Sequence, residues 1–130
     1  MQMLTSMHFL AVALGATAGA WLRWLLGLWL NRHAEMLPWG TFTANMIGGY
    51  LVGLILGLVA AHPEWPPFWR FLLITGFLGG LTTFSTFSAE VVAFVEEGRL
   101  GMALSYAGMS LAGSLILTFL GLMTAHSFRS

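Results

Sequence analysis

Four long apolar runs divide this chain, each near or above the ~20 residues that a helix needs to cross the hydrocarbon core of a bilayer. They extend from His8 to Leu30, Trp39 to Ala61, Phe68 to Val95 and Leu100 to Ala125. Short polar stretches separate them. Asn31 to Pro38 holds Arg32, His33 and Glu35. His62-Pro63-Glu64-Trp65-Pro66-Pro67 carries three prolines, which lack the N–H that a continuous helix requires. Glu96-Glu97-Gly98-Arg99 closes the third run. Trp39, Trp65 and Trp69 fall at the edges of runs, where an interfacial aromatic belt is placed. The pattern predicts an all-α membrane protein with four transmembrane helices, in a single integral membrane domain over residues 1–130.

The third run breaks the pattern. Within it, Gly79-Gly80-Leu81-Thr82-Thr83-Phe84-Ser85-Thr86-Phe87-Ser88-Ala89-Glu90 packs two glycines, five hydroxyls and a carboxyl group into twelve residues. A lipid-facing helix has no use for that mixture. Irregular backbone at membrane depth persists only where protein or a water-filled cavity satisfies its polar groups. A helix broken in mid-membrane, near residues 76–83, is therefore expected, and such breaks point to a substrate or ion site.

Composition supports the class. Charged residues make up 8% of the 130 residues, against about 25% in soluble domains. Absence of cysteine excludes disulfides and thiolate metal sites. Zero net charge and the lack of a basic cluster argue against a nucleic-acid partner. The N-terminus has no basic region of the kind that opens a secretory signal peptide.

Charge also bears on orientation. With four spans both termini share one side, together with the second loop, and that side holds Arg70 and Arg129. The other side holds Arg32 and Arg99, plus Arg23 if its side chain reaches outward. The positive-inside rule needs an imbalance, and here there is almost none. Two readings fit. The chain inserts both ways up and pairs with its inverted copy as an antiparallel, dual-topology homodimer, or some other feature fixes one orientation.

Small residues set the packing. Gly15 and Gly19 are four apart, and Gly49, Gly53 and Gly57 repeat the spacing beside Gly48. Such stripes let helix backbones approach closely in lipid. Tyr106, Ser110, Ser114 and Thr118 recur at intervals of four and form a polar track along the fourth run. Each hydroxyl either lines a path or bonds back to a carbonyl of its own helix. Asn45 places an amide inside the second run, as interhelical glue or as a donor to an anion. Glu90 is ionisable within a span, which is a functional position by default. Arg23 either snorkels to the interface or attracts anions into a vestibule.

Catalysis is not expected: no nucleophile–base arrangement, phosphate loop or paired carboxylates can be assembled, so the chain is not read as an enzyme. His8, His33, His62 and His126 lie at edges or in loops, which excludes a haem-carrying bundle. Freed carbonyls near Gly79 and Thr82 suit a small hard cation such as Na⁺, facing each other across a dimer axis. Hydroxyls and a restarting helix offer donors to an anion. Phe84 and Phe87, three apart, can turn positive ring edges toward it or simply fill the core.

The twelve-residue motif resembles the signature of the Fluc (CrcB) fluoride channel family. Gly19-Ala20-x-x-Arg23-Trp24 and Gly40-Thr41-Phe42-x-x-Asn45-x-x-Gly48-Gly49 are further matches, and the likeness covers nearly the whole chain. The resemblance implies a dual-topology homodimer in the bacterial inner membrane. It would carry two antiparallel fluoride pores and a structural Na⁺ at its centre, and would export F⁻ passively. By motif position, Asn45, Phe84 and Phe87 resemble pore residues. Thr83, Ser85, Tyr106, Ser110 and Ser114 resemble polar lining, Glu90 the pore-edge carboxylate and Arg23 the vestibule arginine. Gly79 and Thr82 resemble the residues whose carbonyls hold Na⁺. Selectivity for fluoride comes from the resemblance alone. A small proton-coupled drug exporter of dual topology is the first alternative, although that class needs a carboxylate deep in its first span. A non-transporting anchor subunit is the second, and it leaves the aligned hydroxyls unexplained.

Overall fold

The computed structural model describes residues 5–31 and 37–128. Arg32, His33, Glu35 and Arg129, which enter the loop reading and the charge count, lie outside the described residues. Among the described residues, four helical segments are long and apolar enough to cross a membrane: Ser6–Leu30, Trp39–Ala61, Pro67–Glu96 and Leu100–Ser127. They match the four apolar runs to within two residues at each end. The protein is a multi-pass, all-α membrane protein.

We label the helices α1 (Ser6–Leu30), α2 (Trp39–Ala61), α3 (Pro67–Arg70), α4 (Gly79–Leu81), α5 (Ser85–Glu96) and α6 (Leu100–Ser127). The third span comprises α3, a π-helical stretch over Phe71–Leu78, α4 and α5. Their ends follow local chemistry. The Thr5 hydroxyl accepts the His8 N–H at the start of α1. Pro67 opens α3 at the one helical position that needs no N–H donor. Gly98, at φ 75°, ends α5 in the left-handed region. There the Gly98 N–H bonds the Val95 carbonyl and the Arg99 N–H bonds the Phe94 carbonyl, a Schellman closure.

Small residues decide how the spans meet, as the glycine spacing predicts. Along α2, Gly49 lies against Ser114 and Gly53 against Thr118 and Leu122 of α6. Along α1, Gly15 touches the Leu72 carbonyl and Gly19 faces Phe77 and Leu81. Gly76 and Gly80 answer from the third span, against Val12 and Ala16. The most extensive interfaces are accordingly α2 with α6 and α1 with the π-helical stretch. That stretch departs from the regular helix expected there. Its extra residue per turn lies where backbone presses on backbone, and such wide turns recur at functional sites. Gly19→Val tests this packing. A Cβ at Gly19 would stand 2.8 Å from the Leu81 nitrogen, so backbone must move. The expected result is a loss of about 1–3 kcal/mol, read as a lowered melting temperature in detergent.

Candidate functional site

The third span is interrupted at residues 82–84, midway between Pro67 and Glu96 and at the far edge of the expected 76–83, because residues 76–81 stay helical against α1. Thr82 is extended, at φ −85° and ψ 154°. A helical turn normally supplies each carbonyl with the N–H four residues on, and here several carbonyls lose that donor. Their replacements come from three directions. Thr82 turns both its N–H (2.9 Å) and its hydroxyl (2.8 Å) to the Leu78 carbonyl. From α2, Asn45 clamps Thr83 at two points: Oδ1 accepts the Thr83 N–H at 2.9 Å, and Nδ2 donates to the Thr83 carbonyl at 3.2 Å. From α1, Arg23 Nε donates to the Gly80 carbonyl at 3.1 Å. The Thr83 hydroxyl then accepts the Thr86 N–H at 3.2 Å and caps the restarting α5. Because the Thr83 and Thr86 N–H groups are engaged elsewhere, the Gly79 and Thr82 carbonyls receive no intrahelical bond from them.

Beside the break lies an open groove of about 460 Å³ between α2, the third span and α6. It gathers most of the residues singled out from the sequence: Asn45, Gly79, Thr82, Thr83, Phe84, Phe87, Ser110 and Ser114. Hydroxyls of the α6 track divide between the two roles open to them. Ser114 donates to the Leu111 carbonyl at 3.3 Å. Thr118 shares its proton between the carbonyls of Ser114 (2.9 Å) and Gly49 (2.8 Å). Ser110 differs: it is 7% exposed, and its buried hydroxyl has no partner among the described residues. An unmet buried hydroxyl costs about 1–3 kcal/mol, so Ser110 leaves an unused donor and acceptor in the wall of the groove.

The remaining candidates stand apart. Ser85 is exposed at the first turn of α5. Tyr106 is fully buried and donates to Glu90 Oε1 at 2.8 Å. Glu90 Oε2 accepts the Thr41 hydroxyl at 2.9 Å. This cluster lies behind the phenylalanines. Ring centroids step from Phe84 to Phe87 at 5.9 Å and from Phe87 to Tyr106 at 5.2 Å. An aromatic ladder thus connects the groove to the carboxylate. Thr41 is the residue that sequence reasoning missed. Its position one turn before Asn45, on the same helix face, is the signal that could have found it.

Among the described residues no group of His, Asp or Glu could hold a metal ion. Neutral oxygens remain, and the Gly79 and Thr82 carbonyls, released from the helix, are of the kind that suits a small hard cation. Gly79 adds room, since a Cβ there would meet nothing closer than the Ile74 carbonyl at 3.7 Å.

The family model described as CrcB-like protein, Camphor Resistance (CrcB) matches residues 10–122. The chain belongs to the CrcB family. It is 66% identical to a protein of Bordetella avium (strain 197N) over 124 residues, 95% of this chain and 97% of that one. Identity is 59% over 128 residues to a protein of Bordetella petrii, covering 98% of both chains. A protein of Ralstonia pickettii (strain 12J) is 51% identical over 125 residues, 96% of this chain and 99% of the other. Each of these CrcB relatives is named a fluoride-specific ion channel FluC.

Proposed function

We propose that this CrcB-family chain is a passive fluoride-selective channel, a transporter rather than an enzyme, that exports F⁻ from the bacterial cytoplasm across the inner membrane. The observation that carries this reading is the groove at the break, where an amide, an unmet hydroxyl and two phenylalanines meet at mid-span. An anion passing there exchanges its water for neutral donors and positive ring edges. Asn45 keeps a second N–H beyond the one given to Thr83, and Ser110 has a free O–H to donate. Fixed cations are few, so the ion is held weakly and leaves quickly. The names of the relatives supply the choice of halide.

The same reading includes an antiparallel homodimer with two pores. Phe84 is 78% exposed and the groove is open on one side of the single chain. Polar backbone at mid-bilayer does not face lipid, so a second copy covers it. The near-even spread of five arginines suits insertion in both orientations. Na⁺ belongs to this reading as well. The Gly79 and Thr82 carbonyls of two copies would hold it at the dimer centre, where it would offset the converging carbonyl dipoles. Of the other readings, the drug exporter lacks support because Arg23 is the only charge in the first span.

Fluoride efflux from liposomes, read with a fluoride electrode at an ionophore-clamped potential, tests the function. Release without dependence on a proton gradient is expected. Proton-coupled export of an organic cation would instead favour the exporter. Orientation has its own test. Two lysines added after Ser130 will bias insertion toward one direction and lower flux. Undiminished flux from a population shown to be singly oriented would remove the antiparallel dimer.

A further inference from the structure

We infer that Arg23 is a positioning residue for the sodium site, acting through the Gly80 carbonyl rather than only as a vestibule charge. Arg23 is half-buried on α1 and reaches 57 residues along the chain, its Nε donating to the Gly80 carbonyl at 3.1 Å. Gly80 lies in the short α4, between Gly79 and Thr82. Consecutive peptide planes in one helical turn are mechanically linked, because each is rigid and only two torsions join it to the next. Fixing the Gly80 carbonyl toward α1 therefore steadies the aim of the Gly79 carbonyl one residue before it, while the Thr82 carbonyl shares its peptide plane with the Thr83 N–H that Asn45 holds.

The neighbourhood makes that bond consequential. A Cβ at Gly80 would stand 3.1 Å from the Ala16 Cα and the Ala20 nitrogen, so α4 is pressed against α1. The break has removed the N–H that a continuous helix would give to the Gly80 carbonyl. Asn45 holds the far side of the break at Thr83, and Arg23 is the side chain that holds its near side. A guanidinium suits this task, since its donors are planar and permanently charged, whereas a lysine ammonium offers no such fixed direction. The inference rests on the sodium reading proposed above.

The test measures Na⁺ dependence of dimer melting in detergent for the wild type, Arg23→Lys and Arg23→Gln, beside fluoride flux in liposomes. Melting temperature against Na⁺ concentration gives a midpoint, which reports affinity separately from stability at saturating Na⁺. Both variants should shift that midpoint upward by about tenfold, the scale of one lost charged hydrogen bond. A vestibule charge alone predicts something different: both variants keep the wild-type midpoint and only Arg23→Gln loses flux. That result would overturn the inference while leaving the sodium site standing. A purely structural role predicts lower melting at every Na⁺ concentration with an unmoved midpoint, and would overturn it too. Wild-type melting indifferent to Na⁺ would remove the sodium reading itself, and the inference with it. Should Arg23→Lys fail to assemble, Arg23→Gln gives the same midpoint comparison.

Discussion

Asn45→Asp will suppress fluoride flux by about 100-fold while the protein still assembles. The amide does three things at once. Its oxygen takes the Thr83 N–H, one N–H satisfies the Thr83 carbonyl, and in the proposed pore the second N–H would meet the passing anion. Aspartate cannot do all three. Ionised, it opposes both the Thr83 carbonyl and the anion. Protonated, it can restore the clamp on Thr83, but its single O–H leaves nothing for the ion. Losing a donor in a site of low polarity costs about 1–3 kcal/mol, and the upper part of that range corresponds to about 100-fold in rate. The measurement is initial efflux rate per incorporated protein. Wild-type rates in the variant would exclude Asn45 from the path. Asn45→Leu separates the roles, because it leaves the Thr83 N–H and carbonyl both unmet and will lower the melting temperature as well.

Phe84→Ile should cut flux by at least about tenfold and leave the stability of the individual chain almost untouched. Phe84 is 78% exposed in the single chain, so little of the fold depends on it. Exposed substitutions of this kind usually fall within about 0.5 kcal/mol. Isoleucine keeps the apolar bulk and removes the ring, and with it the positive edge an anion can use. Efflux rate and melting temperature, measured on the same preparation, distinguish a lining residue from a packing one. Equal losses in both would assign Phe84 to the interior of the fold.

Much of this architecture is legible in one sequence, because bilayer thickness sets span length and lipid punishes stray polarity. The four spans, the interrupted third span and the glycine contacts all follow from spacing. Two features do not. The wide turn at Phe71–Leu78 arises in the run FLLITGFL, which contains no proline and only one polar residue. It faces the neighbouring helix where Gly15 and Gly19 admit the backbone closely, a contact between spans that the run itself does not encode. Partners across the fold are equally hidden. Arg23 finds Gly80, and Tyr106 is drawn behind Phe87 to Glu90 rather than into the groove. Periodicity locates a face, whereas such bonds depend on how two faces are rotated against each other.

The clamp at Thr83 has a consequence for biogenesis. Asn45 and Arg23 both belong to spans that leave the ribosome before the interrupted one, and they stitch its loose ends from within the same polypeptide. A newly inserted copy can therefore hold its kink without waiting for a twin. In the proposed dimer, pairing would then be an encounter between two finished halves diffusing in the bilayer, whichever way up each was threaded.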